Sequence, residues 1–199
     1  MKIAIPGPAG PIEADLDDAN DTSRAVAVLC HPHPQYGGNM EDAVLSVLAR
    51  VLSTSGVRCL RFNFRGVGAS AGRHDGQGGE ADDLRAVEQW LRREHAPDSL
   101  ILGGYSFGAG VIWQALADLT PPDRVILIAP PVKFMPFPEQ PVTFPVDVLA
   151  GDADQFVDAT ALEALNPSGV HVIAGADHFF SGKWGDLAAR IEQVLQPAT

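Results

Sequence analysis

The sequence predicts an α/β fold, a mostly parallel, doubly wound sheet flanked by helices. Two observations predict it. Short runs rich in Val, Ile and Leu recur along the chain without alternating in polarity, the pattern of strands covered on both faces. Between them lie stretches with apolar residues at helical spacing, and strands alternating with helices build a parallel sheet through crossover connections.

Each element follows in order. Ala25-Val-Ala-Val-Leu-Cys30 reads as a buried strand stopped by His-Pro-His-Pro. Asn39 offers a cap for a helix over residues 40–53, where Val44, Leu45, Leu48, Val51 and Leu52 share one face and Gly56 ends the segment. Residues 57–62 form the next strand, followed by a glycine-rich loop over 63–79. Glu80, Asp82 and Asp83 then place negative charge where a helix dipole favours it, and that helix continues to about His95. A strand over 99–103 precedes a helix over 107–119. Further strands are expected over 124–129, 146–150 and 170–174. Helices follow the last two, over 158–165 and 182–195. Residues 2–5 and 11–16 suit a small antiparallel hairpin at the sheet edge. With no internal repeat and 199 residues, a single domain over 1–199 is expected.

Composition excludes several classes of partner. Lys and Arg total 14 against 25 Asp and Glu, a formal net charge of −11. Such a chain repels phosphate backbones and anionic membranes, so neither nucleic acid nor a membrane is expected as a partner. Pro6, Gly7, Pro8, Gly10 and Pro11 interrupt the stretch up to Asp18, which therefore reads as neither a secretory signal nor a membrane span. A cytoplasmic protein is expected. Cys30 and Cys59 both sit in apolar runs, as buried reduced thiols do, and no disulfide framework is indicated.

The strongest chemical signal is Gly104-Tyr-Ser-Phe-Gly108, set between an expected strand and an expected helix. This is the G-x-S-x-G nucleophile elbow in the context it requires. A sharp strand-to-helix turn lifts the Ser106 hydroxyl clear of the sheet. The residues two before and two after crowd one another, so both must be tiny. A serine hydroxyl needs a base to take its proton. Of six histidines, only His171 and His178 follow Ser106, as the chain order of such hydrolases demands. His171 lies inside an expected strand. His178 lies in the loop after it, at the carboxyl edge where sites gather, and is the expected base. The acid that orients the imidazole is expected after the strand over 146–150. Asp152, Asp154 and Asp158 all lie there, Asp152 suiting a tight turn and Asp158 a helix cap. Asp177, next to His178, is a weaker candidate.

An oxyanion hole needs a second N–H beside that of Phe107, from the loop after an earlier strand. His31-Pro-His-Pro-Gln-Tyr-Gly-Gly38 is that loop. Pro32 and Pro34 have no N–H to give, which leaves His33, Gln35 or Tyr36, with His33 the first choice. The same loop suggests a rival, His31 and His33 as a metal pair. A metal site needs further ligands at matched spacing, and the sequence has no second histidine pair. No metal or other cofactor is therefore expected.

With these residues in order, the sequence resembles the α/β-hydrolase superfamily, and within it the compact bacterial branch of dienelactone hydrolases and small carboxylesterases. His31-Pro-His-Pro-x-x-Gly-Gly38 is similar to the branch's oxyanion loop, and residues 61–72 look like the loop after the next strand. Gly151-x-x-Asp154-x-x-Val157 looks like the family's acid turn, and it selects Asp154. The resemblance, over residues 25–196, implies Ser106 as nucleophile, His178 as base, Asp154 as orienting acid, and an oxyanion hole of the His33 and Phe107 N–H groups. Two departures matter. Dienelactone hydrolases carry Cys at the elbow, so dienelactone cleavage is not implied. Residues 130–145 are too few and too proline-rich for a cap domain, so an open site is expected. Tyr36, Phe134, Met135 and Phe179 are candidates to line it for substrate, with Phe137 and Phe180. The resulting expectation is a serine hydrolase acting on small-to-medium acyl esters. Thioesterase, peptidase and acyltransferase chemistry would use the same residues, and a non-catalytic binding protein would keep only the fold.

Overall fold

Apolar residues on both sides of each strand demand cover on both faces, and the chain supplies it. The computed structural model describes residues 1–17, 23–76 and 78–196; Asp18 and position 77 of the glycine-rich loop lie outside the described residues. Strands β1 (Lys2–Gly7) and β2 (Gly10–Leu16) form the antiparallel hairpin expected at the sheet edge. β2 also runs antiparallel to β4 (Arg58–Phe62), and β4 lies parallel to β3 (Ala25–Cys30). β5 (Ser99–Tyr105), β6 (Arg124–Ile128), β7 (Val146–Gly151) and β8 (Gly169–Ile173) continue the parallel part. The order across the sheet is β1-β2-β4-β3-β5-β6-β7-β8.

Helices α1 (Ala43–Thr54) and α5 (Trp184–Leu195) cover one face, where Leu45, Leu48, Leu52, Leu187 and Ile191 meet Leu29, Ile126 and Leu149. Helices α2 (Gly79–His95) and α3 (Phe107–Ala115), with the short α4 (Ala159–Glu163), cover the other. There Leu84, Val87, Ile112, Trp113 and Leu162 meet Val28, Leu127 and Val148, the strand neighbours of the first set. The period of two thus survives as a choice of face, with apolar side chains on both.

Two boundaries differ from the sequence reading by more than two residues. The first helix is capped by Asp42, whose Oδ1 accepts the N–H groups of Val44 at 2.9 Å and Leu45 at 3.1 Å. Asn39 instead closes its own turn, accepting the Glu41 N–H at 2.8 Å. The reason is a rival acceptor. Asn63 Oδ1 takes the Met40 N–H at 2.8 Å, which ties residue 40 to the loop after β4 and delays the helix by three residues. The helix expected over 107–119 ends at Ala115 and finishes as a 3-10 turn, Leu116–Asp118.

The connections fix where a site can form. From β3 the chain crosses over one face through α1 to β4, and from β5 it crosses the opposite face through α3 to β6. β3 and β5 are neighbours, so their connections leave in opposite directions and open a crevice at their carboxyl ends. The loops that begin at His31 and at Ser106 are the two lips of that crevice. Residues 129–145, between β6 and β7, contain no helix or strand, so no cap covers it. Among the described residues no helix is long and apolar enough to cross a membrane.

Candidate active site

Ser106 sits at the hinge between β5 and α3 with φ +52° and ψ −117°, a conformation that L-residues avoid. Such strain costs on the order of 1–3 kcal/mol and persists only where the surroundings impose it. Here the Ser106 N–H is held by the Ile128 carbonyl at 2.8 Å. The flanking glycines make the turn possible. A Cβ on Gly104 would lie 2.7 Å from the Gly108 carbonyl, and one on Gly108 would lie 2.2 Å from the Cys30 oxygen. The first contact is the mutual crowding expected from the motif. The second comes from the end of β3, and shows how closely α3 approaches the start of the loop over 31–38.

β7 and β8 are parallel neighbours, so the loops at their carboxyl ends lie side by side. They are stitched together by the Ala153 N–H on the Ala176 carbonyl at 3.1 Å and the Gly175 N–H on Asp152 Oδ1 at 2.6 Å. This brings Asp154 and His178 together, with His178 Nδ1 2.8 Å from Asp154 Oδ2. His178 Nε2 in turn lies 2.9 Å from Ser106 Oγ. A carboxylate accepts only, so the proton belongs on Nδ1, which leaves the Nε2 lone pair to accept from the Ser106 hydroxyl. Asp154 is buried, and its other oxygen accepts the Phe156 N–H at 2.8 Å. Ser106, His178 and Asp154 thus form one hydrogen-bonded chain.

The rival residues have other work. His171 Nε2 pairs with Asp147 Oδ1 at 2.9 Å, on β8. Asp158 caps α4 through the Ala161 N–H at 2.9 Å. Asp177 Oδ1 accepts the N–H groups of Phe179 and Ser181, and the latter bond is the main reason its carboxyl is held below the usual range.

In the His-Pro-His-Pro loop, both His31 ring nitrogens are engaged. Nδ1–H donates to the Pro32 carbonyl at 2.6 Å, and Nε2 accepts the Phe64 N–H at 3.0 Å. Burial pushes its pKa down to about 4, so the ring is a neutral strut between the loops after β3 and β4. His33 Nδ1 accepts the Gln35 N–H at 3.2 Å, and the His33 ring lies 4.9 Å from that of Phe107. Burial, and then the neighbouring His74, hold His33 below the ordinary imidazole range. The Gln35 and Tyr36 N–H groups are both spent on His33, the latter on its carbonyl at 3.1 Å. Cys30 and Cys59 are buried free thiols, and burial raises both, Cys59 to about 12.

Aromatic residues pack around the His33 and His178 rings. Tyr36, Phe134 and Phe179 are 88%, 69% and 61% exposed, so these expected lining residues stand open to solvent. Phe179 meets the His178 ring edge-on at 5.5 Å, and Tyr36 packs on His33 at 4.9 Å. Met135 is half-buried over α3, where a Cβ on Gly110 would come within 2.5 Å of its Cε; Phe137 packs beside it against Trp113. Phe180 departs from expectation. It is fully buried in the core with Leu187 and Ile191, because the turn after His178 sends alternate side chains to opposite sides.

Four neighbours were missed from sequence. Phe156 packs at a tilt against His178 at 4.4 Å and against Phe134 at 5.2 Å; its place two residues after Asp154 was the available signal. Tyr105, inside the elbow motif, donates its hydroxyl to the His178 carbonyl at 3.0 Å and so anchors that loop to β5. His74 and Glu80 pair at 2.7 Å beside His33, and nothing in their spacing announced it.

Comparison with known proteins shows the family and the fold. Residues 28–141 match the family model described as alpha/beta hydrolase fold. A Xanthomonas campestris protein described as an a/b serine hydrolase without lid is 37% identical, with a TM-score of 0.89 over 100% of this chain and 96% of its own. An alpha-beta serine hydrolase homologue from Coxiella burnetii is 34% identical, with a TM-score of 0.89 over 98% of this chain and 97% of its own. An uncharacterised protein of Rickettsia prowazekii, RP471, is 33% identical over 98% of this chain and 88% of its own.

Proposed function

Because this chain belongs to the α/β-hydrolase family, we propose that it is a cytoplasmic serine esterase that cleaves small-to-medium acyl esters through an acyl-enzyme. The observation that carries this reading is the chain Ser106 Oγ–His178 Nε2 at 2.9 Å and His178 Nδ1–Asp154 Oδ2 at 2.8 Å, built on a strained elbow. Ser106 Oγ attacks the ester carbonyl carbon while His178 Nε2 takes the hydroxyl proton. Asp154 stabilises the imidazolium so formed and keeps the ring in register. The carbonyl oxygen becomes an oxyanion, which the backbone N–H groups of His33 and Phe107 receive. Neither N–H donates to another backbone or side-chain acceptor among the described residues. Collapse of the tetrahedral intermediate breaks the carbon–oxygen bond, and His178 returns its proton to the leaving alcohol. Water then attacks the acyl carbon while His178 takes its proton, and as the ester bond to Ser106 breaks and the acid leaves, His178 returns that proton to Ser106 Oγ. The chemistry needs no metal or organic cofactor.

The absence of helix or strand between β6 and β7, and the exposed rings of Tyr36, Phe134 and Phe179, support an open site for esters of modest size. The test is hydrolysis of a p-nitrophenyl ester series by the wild type and Ser106→Ala, with a fluorophosphonate probe alongside. Turnover and labelling should both vanish in the variant. Turnover that survives the substitution would sink the reading, as would a folded wild type that neither labels nor turns over any ester.

A further inference from the structure

One histidine that this hydrolysis does not use touches both residues that would hold the oxyanion. The His74 ring lies 4.8 Å from that of His33 and 5.5 Å from that of Phe107, edge-on in both cases. His33 and Phe107 are themselves 4.9 Å apart, so the three rings close a triangle. Each comes from a different segment: the loop after β3, the loop after β4, and the start of α3.

His74 is not free to drift. Its Nδ1 lies 2.7 Å from Glu80 Oε1, in the first turn of α2, and the same oxygen accepts the Asp75 N–H at 3.2 Å. Glu80 is only 2% exposed, and a carboxylate so placed is held by its partners because losing one leaves a buried charge uncompensated. The loop that carries His74 is clamped as well. Arg65 forks onto both oxygens of Asp83, at 3.0 and 2.8 Å, and reaches Asp75 at 3.3 Å. Asp75 also accepts the Gly79 N–H at 3.3 Å. From its other side His33 is fixed by the Gln35 N–H on its Nδ1 at 3.2 Å.

We propose that His74, fixed by Glu80, is a positioning residue for the oxyanion hole: its ring sets the separation of the His33 and Phe107 backbone N–H groups. The proposal rests on the serine-esterase reading and adds a part to it. Two donors on separate segments serve one oxygen only if both reach it at about 2.7–3.1 Å. A ring wedged against both side chains holds that spacing, and the hydrogen bond with Glu80 holds the ring. Because the oxyanion forms only on the way to the tetrahedral intermediate, a loosened hole lowers kcat and leaves KM nearly unchanged.

The experiment measures kcat and KM on p-nitrophenyl acetate for the full chain as wild type, His74→Ala, His74→Phe, Glu80→Gln and Ser106→Ala. Each variant's melting temperature and its affinity for an alkyl boronic acid, which forms a tetrahedral adduct on the serine, are measured too. Losing a whole oxyanion donor costs on the order of 10²–10³ in turnover, so a displaced donor is expected to cost about 10-fold in His74→Ala. KM should stay within about 2-fold, and boronic acid affinity should fall with kcat. His74→Phe keeps the ring and should recover most of the loss, and Glu80→Gln should fall between. A folded His74→Ala with wild-type kcat would overturn the proposal, as would a loss that leaves boronic acid affinity untouched. If His74→Ala does not fold, His74→Leu is read in its place by the same two criteria. Unchanged turnover in Ser106→Ala is a separate outcome, which removes the serine-esterase reading and this proposal with it.

Discussion

His178 Nδ1 and Asp154 Oδ2 lie 2.8 Å apart in a place closed to solvent, and this contact leaves Nε2 as the ring nitrogen that faces Ser106. Asp154→Asn keeps the shape and the acceptor for the Phe156 N–H but removes the carboxylate that demands a proton on Nδ1. The expected result is a folded protein with kcat reduced on the order of 10⁴-fold, as for the same exchange in serine proteases. Ester turnover beside a thermal melt checks it. Near-normal turnover would mean that Asp154 does not orient His178 in the reaction.

How far the sequence reaches is best seen at particular residues. The elbow glycines were legible because their constraint is local: five residues, one turn, and a Cβ on Gly104 that would strike Gly108. The sheet was legible because Val28 and Leu29 are both apolar and must both be covered, on opposite faces. The order of the strands was not legible, since nothing in Ala25–Cys30 states that its neighbours are Arg58–Phe62 and Ser99–Tyr105. The helix cap failed for a related reason. Asn39 and Asp42 are equally good cap types, and a hydrogen bond from Met40 to Asn63, across 23 residues, chose between them. Choosing Asp154 over Asp152 and Asp158 required the family resemblance, because all three sit in one loop. His74 was invisible for the same reason as the strand order. Its neighbours His33 and Phe107 lie far away along the chain, and only the folded crevice brings the rings together.

The glycines offer a test of close approach against backbone freedom. A Cβ on Gly108 would sit 2.2 Å from the Cys30 oxygen, and neither backbone can retreat without moving the elbow. Gly37 has φ +85° with nothing within 4 Å, so an alanine there meets only conformational strain. Gly108→Ala is expected to cost about 3 kcal/mol or more, and Gly37→Ala about 1 kcal/mol. Urea denaturation of the two variants beside wild type measures both. Equal, small losses would show that the approach of α3 to β3 is looser than the contacts indicate.

His31 makes stability depend on pH in a definite direction. Its folded pKa is pushed down from 6.5 to about 4 by burial, with the Pro32 hydrogen bond opposing. Between those values the unfolded chain binds a proton that the folded chain refuses. The stability linked to His31 is therefore complete above about pH 6.5 and is lost as pH falls toward 4, by about 3 kcal/mol. His31→Gln keeps an acceptor for the Phe64 N–H but has no ring to titrate. Unfolding free energies at pH 7 and pH 4 should therefore converge by about 3 kcal/mol between wild type and variant as pH falls. Parallel pH profiles for the two would show that His31 protonates equally in both states.

Phe134 and Phe179 separate binding from folding. Both rings are more than half exposed; Phe134 packs on Phe156, and Phe179 meets His178, which hydrogen-bonds Ser106. Truncating exposed side chains usually shifts stability by no more than about 0.5 kcal/mol, so Phe134→Ala and Phe179→Ala should melt close to wild type. If the rings line the acyl site, each variant gives up apolar contact with the substrate at roughly 25 cal/mol per Å² of surface no longer covered. The loss should grow with the acyl chain. KM is expected to rise several-fold on hexanoate or octanoate esters and hardly at all on acetate, with kcat little changed. A KM increase of the same size on every ester would instead place these rings on the alcohol side of the scissile bond, and no increase on any ester would remove them from the site.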